Sequence, residues 1–306
     1  GYSDKLILNL AHSCKDGTTI DHELWGQHKI IKADNEKNSE GITHYQTLYD
    51  RSDYIFEKET LVLEISRGCS FKCKFCAYPM NGRKKNTNFK FEEALRNELI
   101  QNYEKYNITN YILADDTYNE SIEKIQYFSK IFQSLPFKIN YACYLRLDLI
   151  HKNLESIDIL QQSGLGGAFF GIESLHYPSS RAIGKALPPE AANELLHRLN
   201  REWGESVSTT GSFIVGLPHD TKETIQGWSQ IISDTSFPLD HASLNTLNIS
   251  KSNSPNPWYS QFQKNPEASG YSVSEFANPR RKEMFWKNKD LDYFEATEIV
   301  NAYYKN

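Results

Sequence analysis

The sequence predicts an α/β protein built on a parallel sheet. Two observations carry that prediction. From about residue 59, short β-branched or aromatic runs alternate with segments of helical periodicity, six times in succession, the pattern of consecutive strand–helix units. With 306 residues, 39% of them hydrophobic, the chain is also long enough for one large domain or two ordinary ones.

The first strand runs from about Thr60 to Ile65, followed by a cysteine-bearing loop and a helix over Phe91–Tyr106 with a Leu95, Leu99, Ile100 stripe. The second strand is Tyr111–Ala114, and its helix, about Ser121 to Leu135, carries Ile122, Ile125, Phe128, Ile131 and Phe132. The third strand spans about Lys138 to Leu147. It leads into a helix that Gly164 ends, since glycine takes the left-handed position past a helix. The fourth strand is Ala168–Ile172, after which Pro188-Pro189-Glu190 opens a helix to about Trp203, proline being favoured in a first turn. The fifth is Ser208–Val215, with Asp220 or Thr221 capping a helix that holds Ile225, Trp228 and Ile231. The sixth is Ala242–Ile249. Covalent geometry leaves two arrangements open, a curling partial barrel and an open doubly wound sheet.

In either arrangement ligands gather at the carboxyl ends of the strands. Those ends read, in order, the cysteine loop, Asp115-Asp116-Thr117, Arg146-Leu147-Asp148, Glu173-Ser174, Gly216-Leu217-Pro218, and Asn245 with Asn248. Nearly all are polar or charged, whereas the strand bodies are apolar or aromatic. Polar groups concentrated at one end of a sheet suit a buried site for a polar ligand, where each needs a partner.

The loop after the first strand reads Ser66-Arg67-Gly68-Cys69-Ser70-Phe71-Lys72-Cys73-Lys74-Phe75-Cys76-Ala77-Tyr78. Three thiolates on one short loop can hold three irons of a 4Fe-4S cluster and leave the fourth iron open. An electron-storage cluster is closed by a fourth cysteine, and a structural zinc site takes four ligands. Neither completion is visible, although zinc held with a distant His or Cys, in a non-catalytic binding protein, stays open as an alternative.

The Cys-x3-Cys-x2-Cys spacing, with the aromatic Phe75 before the third cysteine, resembles the signature of the radical S-adenosylmethionine (radical SAM) superfamily. The resemblance covers roughly residues 57–250 and implies a partial (β/α)6 barrel with N- and C-terminal extensions, residues 1–56 and 251–306. It implies that Cys69, Cys73 and Cys76 hold a 4Fe-4S cluster. It further implies that S-adenosylmethionine binds the open iron and is cleaved reductively to a 5′-deoxyadenosyl radical, which abstracts hydrogen from an unidentified substrate. An electron donor such as flavodoxin or ferredoxin is implied with it.

The same resemblance distributes the cofactor-binding roles. Asp115 and Asp116 stand where the family has a Gly-Gly-Glu-like turn that accepts from the methionyl amino group, and the sequence does not choose between them. Arg146 is the candidate for the methionyl carboxylate. Glu173 and Ser174, in Gly171-Ile172-Glu173-Ser174, look like the ribose segment. Ile214-Val215-Gly216-Leu217-Pro218 resembles the adenine-side turn, with Gly216 allowing close backbone approach, and Phe75 and Tyr78 flank the adenine. Asp-Asp-Thr, Gly-Ile-Glu-Ser followed by Arg181-Ala182-Ile183-Gly184-Lys185, and Gly-Leu-Pro look most like members that often carry an upstream cobalamin-binding domain. Cobalamin-assisted methyl transfer is therefore the alternative within the superfamily. The usual cobalamin run of Asp, one residue, His, two residues and Gly is not met, and Asp21-His22 with Gly26 has a different spacing.

Composition narrows the rest. A net charge of −5 does not suit a protein that grips nucleic acid over a whole face. No apolar run of roughly eighteen residues appears, so no membrane span is expected, and Gly1-Tyr2-Ser3-Asp4-Lys5 does not read as a secretory segment. Five cysteines, three of them crowded into one loop, point to a reducing compartment and hence to the cytoplasm. Cys14 and Cys143 read as buried or incidental thiols. A start at Gly1 suggests a processed product or a piece of a longer protein.

In the flanks, Leu6-Ile7-Leu8-Asn9-Leu10 reads as an added strand or the remnant of an upstream domain. Ser252-Asn253-Ser254-Pro255-Asn256-Pro257 is a loop signal. Trp258, Tyr259, Phe262, Phe276, Phe285 and Trp286 read as packing residues, ahead of a last helix over about Leu291–Tyr304. Arg83-Lys84-Lys85 reads as a solvated loop and His219 as an exposed loop residue.

Overall fold

In the computed structural model, six strands form one parallel sheet whose spatial order follows their order in the chain. The structure describes residues 11–13, 15–17, 23–25, 28–30, 40–78, 81–185, 187–249, 260–275 and 284–305. Leu6–Leu10, Cys14, Ser252–Pro257, Trp258, Tyr259 and Phe276 lie outside them.

A short hairpin, β1 (Glu23–Trp25) and β2 (His28–Ile30), and the helical turn α1 (Glu40–Thr43) precede the sheet. The repeating units are β3 (Thr60–Glu64) and α2 (Glu92–Tyr106), then β4 (Asn110–Ala114) and α3 (Ile122–Gln133). Next come β5 (Asn140–Leu145) with α4 (Leu147–Lys152) and α5 (Ser156–Gln162), and β6 (Leu165–Glu173) with α6 (Tyr177–Ala182) and α7 (Pro189–Trp203). The series closes with β7 (Ser208–Val215), α8 (Lys222–Ser233) and β8 (His241–Thr246). After it come α9 (Gln261–Lys264), the antiparallel pair β9 (Ser272–Glu275) and β10 (Met284–Lys287), and α10 (Tyr293–Tyr303).

The strand order decides between the two arrangements the sequence left open. A doubly wound sheet reverses its winding at a switch point, whereas here every crossover steps to the next strand in one direction. Winding of that kind is the arc of a (β/α)6 partial barrel. Alternate residues of β3, β4, β5 and β7 are buried under the helices, as a half-buried pleat requires: Leu61 and Leu63, Tyr111 and Leu113, Tyr141 and Cys143, Phe213 and Val215. The opposite face stays open. Val62 pairs in register with Ile112, and Ile112 with Ala142, and Val62 and Ile112 are 59% and 45% exposed.

The helices begin and end for local reasons. Ser121 accepts from Lys124 N to cap α3, Thr221 and Thr224 form a capping box on α8, and Pro189 occupies the first turn of α7. Several boundaries depart from expectation. The third strand is shorter than Lys138–Leu147 because Leu147 already belongs to a helix, and the segment before Gly164 holds two short helices interrupted at Asn153. Gly164 does adopt the left-handed conformation, at φ +101°. The fourth strand extends to both sides of Ala168–Ile172, and the sixth stops at Thr246. Thr221, not Asp220, caps α8; Asp220 turns inward, where its carboxylate accepts from Gly216 N, Leu217 N and Ser179 Oγ.

Candidate active site

The cysteine loop follows β3 and is fastened at several points. Lys74 N donates to the Ile183 carbonyl at 3.2 Å, and the Lys74 carbonyl accepts from Phe262 N at 3.3 Å. Gly82 N donates to the carbonyls of Cys69 and Phe71 at 2.7 and 3.0 Å, closing the loop on itself. Cys69, Cys73 and Cys76 are free thiols and line one cavity of about 210 Å³ with Phe75, Tyr78, Asp116, Arg146, Glu173 and Lys185.

Side chains of two neighbours touch the sulfurs, and Phe71 N donates to Cys69 Sγ at 3.5 Å. Cys69 Sγ lies 3.3 Å from Thr117 Oγ1, and Arg146 Nη1 donates to Cys73 Sγ at 3.2 Å. Burial pushes the Cys69 thiol up, with the Thr117 contact opposing it. The donor set suits a 4Fe-4S cluster: three thiol side chains of one loop, with no fourth cysteine beside them among the described residues, line one cavity. Among the described residues no three His, Cys, Asp or Glu side chains converge as a single ion requires. Thiolates that each take a different iron have no need to converge.

The two aspartates after β4 face opposite ways. Asp115 is buried in an ionic network, 2.7 Å from Lys124 Nζ, and accepts from Ser66 Oγ and Thr117 N. Lys124 also lies 3.6 Å from Glu120, which Arg83 reaches at 2.9 Å. Asp115 is thus absent from the cavity lining, and Arg83 is turned inward, contrary to its reading as part of a solvated loop. Lys84 and Lys85 are exposed. Asp116 lines the cavity. Partial desolvation pushes its carboxyl up against the lowering effect of a hydrogen bond from Tyr78.

Glu173 reaches the cavity through a distortion of its strand. The β6–β7 register slips between Gly171 and Glu173, and Glu173 sits at φ +69°, a bulge that re-aims the side chain. Its carboxylate accepts from Lys185 Nζ at 2.8 Å, and Lys185 also donates to the Gly171 carbonyl. Lys185 Nζ stands 5.9 Å from the Phe75 ring centroid. Arg146 lines the cavity too, but its guanidinium forks onto Asp148 at 3.0 and 2.9 Å. Burial would raise the Asp148 carboxyl, and Arg146 more than offsets it, holding it below the ordinary value.

Two further expected cofactor residues, besides Asp115, lie elsewhere. Ser174 lines a separate small cavity beside Asp148, Leu175 and Leu187, and its Oγ accepts from His176 N. Gly216, at φ +99°, faces the indole of Trp286, and its carbonyl accepts from Tyr271 OH. The glycine therefore admits a tryptophan of the C-terminal segment. His219 is exposed, as read, and Cys143 is buried with its thiol pushed well up. Tyr144 is a cavity residue that the sequence does not single out, and Thr117 and Lys185, named only within a strand end and a motif segment, line the same cavity. Lys185 carried no periodic or spacing signal, since it pairs with Glu173 across twelve residues only because the chain doubles back.

The Radical SAM superfamily model matches residues 63–229. That is more than half of the chain, and the protein belongs to this superfamily of enzymes, which works with a 4Fe-4S cluster and S-adenosylmethionine. Among curated relatives, an uncharacterised methyltransferase of Pyrococcus horikoshii is 25% identical over 165 residues, covering 54% of this chain and 35% of that protein. The anaerobic magnesium-protoporphyrin IX monomethyl ester cyclase of Cereibacter sphaeroides is 24% identical over 240 residues, covering 75% and 37%. The chain thus spans about a third of the length of these relatives. Among solved structures, the radical S-adenosylmethionine methyltransferase TsrM of Kitasatospora setae superposes with a TM-score of 0.65 at 14% identity, covering 90% of this chain and 56% of that one. It shares the fold. Membership in an enzyme superfamily replaces the reading of a zinc-stabilised binding protein. No helix among the described residues is long and apolar enough to cross a membrane.

Proposed function

We propose that this chain is the radical SAM core of an enzyme in which Cys69, Cys73 and Cys76 hold the 4Fe-4S cluster and the adjoining cavity holds S-adenosylmethionine. The bound pair supplies a 5′-deoxyadenosyl radical that takes hydrogen from a substrate. The observation that carries this reading is the placement of all three cysteines, Asp116, Glu173 and Lys185 on the walls of one cavity.

Asp116 accepts from the methionyl ammonium, a charge-assisted bond that Tyr78 helps to orient. Lys185 takes the methionyl carboxylate, leaving Glu173 to accept from ribose hydroxyls. Phe75 and Tyr78 provide apolar walls for the adenine. The substrate approaches from the open face of the sheet, past Tyr144 and Phe169, which line the cavity edge to face at 5.0 Å. Residues 57–250 form this core, and α10 of the C-terminal extension packs against β7 and β8. A flavodoxin or ferredoxin supplies the electron, and the setting is the cytoplasm.

The test is anaerobic. The chain is reconstituted with iron and sulfide, given dithionite and S-adenosylmethionine, and assayed for 5′-deoxyadenosine by liquid chromatography with mass detection. Its formation, lost in Cys73→Ala, is the expected result; an intact cluster that binds no S-adenosylmethionine would refute the reading. Methyl transfer with cobalamin is the second reading, favoured by the likeness to a methyltransferase sequence and to the TsrM fold. Methylated product formed only when cobalamin is added distinguishes it.

A further inference from the structure

Arg146 is committed on every side. Asn119 grips its backbone twice, accepting from Arg146 N and donating to the Arg146 carbonyl, each at 2.9 Å. Nε and Nη2 fork onto Asp148, Nη2 also reaches the Gly184 carbonyl at 3.5 Å, and Cζ lies 4.1 Å from the Phe71 ring centroid. The side chain is 8% exposed. A guanidinium is rigid and planar, with five N–H donors. Once the fork and the stacking contact set its plane, the direction of Nη1 follows, and that donor points at Cys73 Sγ from 3.2 Å.

We propose, resting on the cluster assignment above, that Arg146 is a positioning and tuning residue for the cluster and does not clamp the methionyl carboxylate. Its Nη1–H stays bonded to the Cys73 sulfur when that sulfur ligates iron. A donor drawing on the thiolate lone pair withdraws electron density from the cluster and favours its reduced form. Hydrogen bonds to the sulfurs are among the factors that set such potentials. Asp148 neutralises the guanidinium overall, so what remains at the sulfur is a fixed, oriented N–H dipole. Asp148 and Phe71 hold that dipole in place in both oxidation states, the task of groups that stand behind metal ligands. Carboxylate recognition then falls to Lys185, the other cation lining the cavity.

The experiment is a potentiometric titration of the reconstituted cluster, followed by electron paramagnetic resonance without S-adenosylmethionine, on the parent, Arg146→Gln and Arg146→Lys. Iron and sulfide are counted on the same samples. Arg146→Gln is expected to lower the ratio of reduced to oxidised cluster about tenfold at a fixed poise, a shift of about 59 mV for a one-electron couple. Arg146→Lys, which keeps the charge but lacks the rigid fork, is expected to fall between the two and serves if the Gln variant retains no iron. Fully loaded variants with the parent potential overturn the proposal, most directly if their affinity for S-adenosylmethionine has dropped. A parent chain that assembles no cluster is recognised by its iron content and overturns the cluster assignment as well.

Discussion

Trp286 lies against Gly216 so closely that a methyl group built on the glycine would stand 2.3 Å from two carbons of the indole. The indole is fixed by its own Nε1–H, which donates to the Leu247 carbonyl at 2.7 Å, and the ring is 1% exposed. Gly216→Ala therefore meets both a left-handed backbone and an occupied space, and is expected to cost about 2–4 kcal/mol of stability. A double-mutant cycle with Trp286→Ala checks the origin of the loss. The clash component should vanish in the double variant, and strictly additive losses would assign the whole effect to the backbone.

Asp115 and Asp116 should respond differently to the same change. Asp115→Asn leaves Lys124, which is fully buried, without its carboxylate at 2.7 Å. Glu120, 3.6 Å from the lysine, remains, so the expected cost falls below the roughly 3–5 kcal/mol of a buried charge left alone, read as a fall in the denaturant midpoint. Asp116→Asn should keep the parent midpoint and weaken S-adenosylmethionine binding roughly tenfold or more, the worth of a charge-assisted hydrogen bond. Calorimetric titration checks it; the reverse pattern would exchange the two roles.

Each cysteine of the loop is expected to be needed for full cluster assembly. Cys69→Ala, Cys73→Ala and Cys76→Ala should each lower bound iron and sulfide after reconstitution, while the far-ultraviolet circular dichroism keeps the parent shape. Cys143→Ala, which alters a thiol buried beneath the sheet, should leave the iron content at the parent level. A Cys143→Ala protein poor in iron would show that a thiol outside the loop takes part.

Asp220 makes stability depend on pH. Burial pushes its carboxyl from the ordinary 3.8 up to about 6, against three hydrogen bonds that lower it. A carboxyl that holds its proton more tightly in the folded chain than in the unfolded one favours the fold at low pH. That contribution is complete below about pH 4 and lost as the pH rises through about 6, a change on the order of 3 kcal/mol. Melting temperatures from pH 4 to 7 should therefore fall less steeply for Asp220→Asn than for the parent, and equal slopes would remove Asp220 from the account.

The sheet was legible because its strands follow a period of two and its helices a period of 3.6. Ser208–Val215 and the helix ending at Trp203 stand where their patterns placed them. The cysteine loop was legible for a different reason, since the chemistry of three thiolates is local in sequence. What could not be read were partnerships set by the fold. Nothing in Asp115-Asp116 says which carboxylate turns toward Lys124, a residue of the following helix. Nothing at Gly216 announces a tryptophan seventy residues downstream. Glu173 was read as a site residue, but the bulge that aims it arises from the β6–β7 register, a property of two strands together.

The two clasps on Lys74, Ile183 and Phe262, have a consequence for how the protein comes to exist. Both partners are synthesised more than a hundred residues after the loop they hold. At ribosomal speeds the second follows by roughly ten seconds or more. Throughout that interval the three thiols leave the ribosome with the two clasps on Lys74 still unmade, open to oxygen and to stray metal. On the cluster assignment proposed above, iron and sulfide therefore meet a finished cradle only after translation has passed Phe262, and a nascent chain arrested before that point would carry its cysteines without these clasps.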